Sequence, residues 1–383
     1  MRTIHPFPAR MAPELALKAI KTLPLGSSVL DPMCGSGTSL KIAADLGIRA
    51  VGVDLDPMAT LISSVWSRNF ETDSLETKLK LIVHAARDFE SSAPITSCAE
   101  TNNFIAFWFG PKQAAALHAI STQIHDIEDE SDRNFFSVAL SRIIITKVVG
   151  ASLAWDVSHS RPHRKKIVND FDTIEGFEKS SRWMIRYFDE HEVLMPASVL
   201  QNDARHFKLD EKFDLVVTSP PYLNAIDYMR GHKLALVWLG HTIPSLREIR
   251  AVSIGAERGA PATTILDSAI LRQILPDGDL PQRQQSMFMR FISDSQALLS
   301  NAAFHLKPSG NLTLVVANSH LKGRTVRHNE LFRILADHSG LKFLDEHHRT
   351  LPANRRYLPT PDSDGPLSKR MKTEFVLQFE KAA

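Results

Sequence analysis

The chain has 383 residues, 43% of them hydrophobic and 23% charged, an ordinary globular mix that excludes collagen, fibrous and disordered classes. Its 45 basic and 43 acidic side chains leave a net charge of +2, which by itself names no partner. Two cysteines, Cys34 and Cys98, are too few for a disulfide framework or a four-cysteine zinc site, and they suit a reducing cytosol. No uncharged apolar run reaches the roughly 18 residues of a spanning helix, and MRTIHPFPAR lacks the apolar core of a signal peptide.

In chain order, Ala12–Leu23 carries a helical apolar stripe, with Pro13 suited to a first turn. Ser28–Leu30 reads as a strand that stops at Asp31-Pro32. The glycine segment MCGSGT follows, then a helix over Ser39–Leu46 closed by Gly47. Arg49–Val53 reads as a second strand, ending in Asp54-Leu55-Asp56-Pro57. From about residue 70 to 196 strand signals thin out and helical ones dominate, as in Lys112–Ile127 and Arg133–Val149. The apolar run Arg142–Val149 predicts a buried helix. An insertion of this length between strand and strand is usually functional. Strand signals return at Ser198–Leu200 and Phe213–Thr218, and helical residues follow over Gly231–Leu239. Residues 244–285, rich in glycine and proline, predict a flexible loop insertion. Phe288–Leu306 reads as a helix, and Asn311–Ala317, Lys342–Asp345 and Phe375–Phe379 as strands. Strands alternating with helices predict an α/β fold with a mostly parallel sheet, whose ligands sit at strand carboxyl ends.

Two segments at such ends carry chemistry. Gly35 and Gly37 let the backbone approach a ligand, at the start of a helix whose free N–H groups face it. No Lys-Ser/Thr follows, so this is not a phosphate-gripping loop, and the third glycine of the dinucleotide fingerprint is missing. Asp54, at the end of the next strand, can accept both hydroxyls of a ribose; a helix cap is its alternative reading. An adenosine-bearing cofactor without a pyrophosphate fits, and S-adenosylmethionine is the candidate. The second segment, Ser219-Pro220-Pro221-Tyr222, follows a strand. Its prolines fix φ and lack N–H groups, so the turn is stiff and its carbonyls are free to accept from a planar amino group. Tyr222 offers a flat face to a base.

The chain resembles the amino-methylating DNA methyltransferases, which act on the exocyclic nitrogen of cytosine or adenine. Thr218-Ser219-Pro220-Pro221-Tyr222 is similar to the N4-cytosine branch, whereas the N6-adenine branch more often begins its tetrad with Asp or Asn. Asp31-Pro32-Met33-Cys34-Gly35-Ser36-Gly37-Thr38 resembles the family's cofactor loop, and His5–Arg10 the segment, with Phe7, that closes over the methionine end of the cofactor. Asn202-Asp203-Ala204-Arg205 resembles the element that meets the adenine, and Asn224–Leu239 the helix after the tetrad. The resemblance implies a Rossmann-like class I methyltransferase sheet in residues 1–70 and 197–383, interrupted by a helical insertion at 71–196 and by the segment 244–285, either of which is a candidate for DNA recognition. It implies S-adenosylmethionine as cofactor, bound by Phe7, Asp31, Gly35, Gly37, Thr38, Asp54 and Asp203. Ser219, Pro220, Pro221 and Tyr222 become the catalytic turn, and DNA the substrate. A cognate restriction endonuclease is an implied partner, and a cytoplasmic, nucleoid-associated location is implied. An N6-adenine enzyme, an RNA methyltransferase of the same fold and a non-catalytic DNA-binding relic stay open.

A base in duplex is out of reach, so it must be extruded or single-stranded. Ring-carbon methylation of cytosine needs a cysteine nucleophile, normally beside a proline. Cys34 lies in the cofactor loop and Cys98 has no adjacent proline, so that chemistry is excluded here. The histidines lack companions at ligand spacing, and no metal is expected. For nucleic-acid contact the segment with Arg161, His163, Arg164, Lys165 and Lys166 carries no acid and reads as phosphate-binding, with a solvated loop as alternative. Arg355-Arg356 is a second candidate.

Overall fold

The computed structural model describes every residue except 1, 8–9, 91–93, 147–148, 156–161, 165–167, 224–226, 256–265, 267, 322, 351–372 and 383. Helix α1 (Pro13–Ile20) precedes β1 (Ser28–Asp31), α2 (Thr38–Asp45), β2 (Arg49–Asp54) and α3 (Pro57–Trp66). Four helices follow: α4 (Thr72–Arg87), α5 (Ala99–Trp108), α6 (Pro111–His125) and α7 (Glu130–Ser141). Then come a short hairpin of β3 (Ala154–Trp155) and β4 (His163–Arg164), and α8 (Thr173–Glu190). The remainder is β5 (Ser198–Gln201), β6 (Phe213–Thr218), α9 (Met229–Leu236), α10 (Ile243–Val252), α11 (Ser268–Ile274), α12 (Gln282–His305), β7 (Leu306–Val316), the hairpin β8 (Ser319–Leu321) and β9 (Arg324–Val326), α13 (His328–Asp337), β10 (Leu341–Thr350) and β11 (Thr373–Lys381).

One seven-stranded sheet runs in the order β10-β11-β7-β6-β1-β2-β5. The pairs β1/β2, β1/β6, β2/β5 and β6/β7 are parallel, and β11 alone runs against both its neighbours. This is the mostly parallel α/β sheet that the alternation of strands and helices predicts. Alternation along the central strands explains why both faces are covered. Val29, Leu215 and Val217 point to one face, under α1 and α2, while Leu30 and Val216 point to the other, under α12 and α13. A third cluster lies outside the sheet. It joins α3 through α8 to α9 and the turn after it through side chains such as Trp66, Leu79, Phe135, Phe177, Leu234 and Trp238.

Several expectations meet differences. The described part of the run Arg142–Val149 is not a helix. After α7 ends at Ser141, the chain turns back so that Ala151 and Ser152 donate to the carbonyls of Ile143 and Ile144. The β-branched run Ile143–Thr146 disfavours continuing the helix. Within 244–285 the structure shows α10 and α11 rather than loop alone. Thr242 starts α10 with a capping box to Ser245, and Pro244 sits in the first turn. Strand β7 begins five residues earlier than the sequence suggested.

Candidate active site

Strand order reverses between β1 and β6, where β2 and β6 flank β1 on opposite sides. A crevice forms at such a switch point. The register pairs Val29 with Leu215 and Leu30 with Val216, so Asp31 and its glycine loop lie beside Thr218 and the Ser-Pro-Pro-Tyr turn. The two segments singled out from sequence are thereby brought together although 184 residues separate Asp31 from Leu215 by number.

The loop is held by its own carboxylates. Asp31 is 2% exposed and accepts from the Met33 amide at 3.2 Å and from the Ser39 hydroxyl. Burial pushes its carboxyl up to about 6 against those hydrogen bonds. Gly35 donates its N–H to Asp54 at 2.8 Å, and Asp56 donates to the other Asp54 oxygen at 3.0 Å. Burial, then the neighbouring Asp56 charge, pushes Asp54 up to about 7. Gly35 and Gly37 both take left-handed backbone (φ +51° and +83°). Gly37 also touches α3: a Cβ there would lie 2.7 Å from the Ser63 Cβ. Thr38 begins α2 immediately afterwards and is buried. Cys34 is buried in this loop, and its thiol is pushed well up by burial and by Asp54 and Asp31, which makes it a poor nucleophile.

Phe7 lies over the loop, 3.5 Å from where a Cβ of Gly35 would stand. Its ring stacks on Tyr228 with centroids 5.5 Å apart, and lies 5.1 Å from the ring of His232. Tyr228 and His232 were missed in the sequence. They stand at the start and on the first turn of α9, four residues apart, so both face the loop. His232 is 7% exposed; its Nδ1 meets Asp56 Oδ2 at 2.6 Å, and its Nε2 is buried without a hydrogen-bond partner. The His232 charge and hydrogen bond, with the Met58 and Ala59 amides, overcome burial and hold Asp56 below the usual carboxylate range. The Asp56-Pro57 pair at a helix start was the one available signal; it caps α3 by accepting from Met58.

Asp203 follows β5. Its carboxylate is gripped by Arg205, which also reaches Asp294. Burial pushes Asp203 up, but the Arg205 hydrogen bonds and charge outweigh it and hold the carboxyl low. In the turn after β6, the Ser219 hydroxyl donates to the Val315 carbonyl at 2.9 Å. Pro220 is buried, while Pro221 and Tyr222 are half-buried. Tyr222 lies 6.0 Å from the ring of His328, and burial and the Glu374 charge push its hydroxyl up.

Of the basic segment, His163 and Arg164 form the exposed strand β4; Arg161, Lys165 and Lys166 lie outside the described residues, as do Arg355 and Arg356. Among the described residues no group of three His, Cys, Asp or Glu side chains is placed to hold a metal ion, and no helix is long and apolar enough to cross a membrane.

No family model matches the chain. It is 22% identical over 412 residues to the Type II methyltransferase M.MvaI of Kocuria varians, covering 98% of this chain and 90% of that protein. It is 20% identical to the Type II methyltransferase M.MjaII of Methanocaldococcus jannaschii, over 61% of each chain, and 27% identical to M.AvaI of Anabaena variabilis, over 55% of this chain and 48% of that one. Among solved structures, an S-adenosylmethionine-dependent methyltransferase from Methanosarcina mazei covers 98% of this chain and 99% of its own at 9% identity and a TM-score of 0.34. The chain is therefore similar, at low identity and over nearly its whole length, to a Type II methyltransferase.

Proposed function

We propose that the chain transfers a methyl group from S-adenosylmethionine to the exocyclic N4 of cytosine in DNA. The observation that carries this reading is the register of β1 on β6, which sets the glycine loop beside Ser219–Tyr222. The residues present fit an adenosine-bearing cofactor. Left-handed Gly35 and Gly37 open the loop backbone, Asp54 retains lone pairs for hydroxyl donors, and the buried His232 Nε2 has no partner of its own. In this reading Phe7, Asp31, Gly35, Gly37, Thr38, Asp54 and Asp203 hold that group. When bound, it supplies a methyl on a positively charged sulfur.

The chain's own residues orient the acceptor. An amino group conjugated into a base is a poor nucleophile, because its lone pair is delocalised. Ser219 gives its hydroxyl hydrogen to Val315, so toward a substrate amino group its oxygen can act only as an acceptor. The Pro220 carbonyl is a second acceptor. Two acceptors on one amino group pull its N–H bonds out of the ring plane and localise the lone pair. Orientation and charge placement then supply the rate. The proton leaves after alkylation, so no strong base is required. Tyr222 stacks on the extruded base. Sequence recognition falls to the helices inserted at 71–196.

Mass spectrometry of nucleosides, after reaction of DNA with isotope-labelled cofactor, tests the reading. N4-methylcytosine is expected. N6-methyladenine would overturn the base assignment and keep the amino-group mechanism, and 5-methylcytosine would overturn the mechanism. Label appearing only in RNA would overturn the substrate, and no label in either would leave a binding protein.

A further inference from the structure

The helix that follows the Ser-Pro-Pro-Tyr turn has a second face. Tyr228, just before α9, and His232 of α9 point toward the glycine loop, while Arg230 and Lys233, three residues apart, share another side. There α9 meets α10, which carries Arg247 and Arg250, also three apart. Arg230 and Arg250 both reach Asp227, at 3.6 and 2.8 Å, and Arg247 pairs with Glu100 at the start of α5. Arg230, Arg247 and Arg250 are each about half exposed. Lys233 sits over the ring of Phe104 at 5.2 Å, and Arg164 of β4 sits over Phe107 at 4.7 Å. Helix α5 therefore bridges the α9–α10 bases to the β3–β4 hairpin. Along this strip five basic side chains meet two paired acids, Asp227 and Glu100; Glu248 stands on the adjoining side of α10.

The bases outnumber the acids within reach, and the crowding is felt. Burial, and then the charges of Arg250, Arg230 and Arg247, hold the Lys233 ammonium below its usual range against Asp227. Phe107, 49% exposed, leaves an aromatic surface among the cations. Surface arginines at helical spacing are commonly just solvated. Here the bases converge from two helices and a hairpin on one strip laid across α5, beginning at Arg230, eight residues after Tyr222.

We propose that this strip, from Arg230, Lys233, Arg247 and Arg250 across α5 to Arg164, binds the phosphate backbone of DNA beside the extruded base. A polyanion fits because its phosphates recur at intervals that a row of guanidinium groups can match, and because it relieves the cationic crowding. The inference rests on the DNA reading above and deepens it by naming the surface.

The test is binding of the full chain to a fluorescein-labelled duplex of mixed sequence, followed by anisotropy across a salt series. The triple variant Arg230→Gln, Lys233→Gln, Arg250→Gln should bind more weakly, with the slope of log K against log salt reduced by about 0.9 for each phosphate that is no longer neutralised. Its affinity for S-adenosylhomocysteine by calorimetry should stay at the parent value, which reports that the fold and the glycine loop are intact. Lys342→Gln, on the far edge strand β10, should leave the slope unchanged. A parental slope in the triple variant overturns the proposal. If the variant loses its fold, benzoylphenylalanine placed at Phe107 in the otherwise native chain decides: photocrosslinking to the duplex supports the strip, and none, while the chain binds DNA, overturns it. Failure of the native chain to bind DNA at all is a separate result, and overturns the substrate reading itself.

Discussion

His328 pins the end of the Ser-Pro-Pro-Tyr turn through Leu223. The Leu223 amide donates to His328 Nε2 at 3.2 Å, which fixes the proton on Nδ1, and Nδ1 donates to the Ala317 carbonyl at 2.9 Å. The ring is fully buried, and burial pushes its pKa down to about 4 against the Ala317 hydrogen bond, so it stays neutral at all ordinary working pH. A neutral imidazole, with one donor and one acceptor, thus clamps the turn after β6 to the end of β7.

His328→Ala should cut single-turnover methyl transfer at least tenfold while changing cofactor affinity about twofold or less, because it frees the turn and not the glycine loop. It should also lower stability, since each buried group left unpaired costs about 1–3 kcal/mol. His328→Gln, with one donor and one acceptor, should recover part of the rate. Equal losses in rate and cofactor binding would show a general packing role instead. Stopped reactions with labelled cofactor, beside calorimetry, read the split.

Asp54 gives a pH dependence with a defined sign. Its carboxyl is pushed up to about 7 by burial and Asp56, and hydroxyl donors favour its charged form. Protonation therefore competes with the ligand, and cofactor affinity should fall as pH drops below about 7, by up to about tenfold per unit. Asp31, pushed to about 6, joins only at lower pH. Asp54→Asn should flatten the dependence above about pH 6. Calorimetry of S-adenosylhomocysteine across pH checks both, and a flat profile in the native chain would make Asp54 merely a clasp for Gly35 and Asp56.

Gly37→Ala should be costly. A non-glycine residue at φ +83° is strained, and the new Cβ would lie 2.7 Å from that of Ser63. Left-handed backbone costs about 1–2 kcal/mol and overpacking about 1–3 kcal/mol. Thermal denaturation should show a clear drop in melting temperature, and cofactor affinity should fall with it. By contrast Gly340, at φ +73° with open space around its Cβ position, should show only the backbone part.

Tyr222→Ala should lower methyl transfer far more than cofactor binding, since base stacking is worth about 1–3 kcal/mol and acts only on the extruded base. Tyr222→Phe keeps the ring and should retain most activity. A loss as deep as that of Tyr222→Ala would shift the role to the hydroxyl beside Ser219.

What was legible in the sequence was local. Strands β1, β2 and β6 and their turns show themselves within a few residues, through apolar runs closed by Asp31-Pro32, Asp54 and Ser219-Pro220. What was not legible is made by distant pairs. Asp56 and His232 are 176 residues apart, and Leu223 and His328 105, so no window of sequence joins them. Lone histidines inside apolar helices look like core residues until a fold supplies the partner. The described part of the run 142–149 departs from expectation for the opposite reason: its apolarity suggests a helix, although burial is all that apolarity guarantees.

Helix α9 is eight residues long, little more than two turns, and bends poorly over that length. It carries His232, with Tyr228 just ahead of it, toward the glycine loop and Arg230 and Lys233 toward α5 and α10. Such a rod cannot tilt on one side and stay still on the other. If occupancy of the loop biases the position of α9, the gain it brings to nucleic-acid affinity must equal the gain that nucleic acid brings to cofactor affinity, because the two free energies close one thermodynamic cycle. Order of addition would then alter the rates of assembly and never the final energy of the ternary complex.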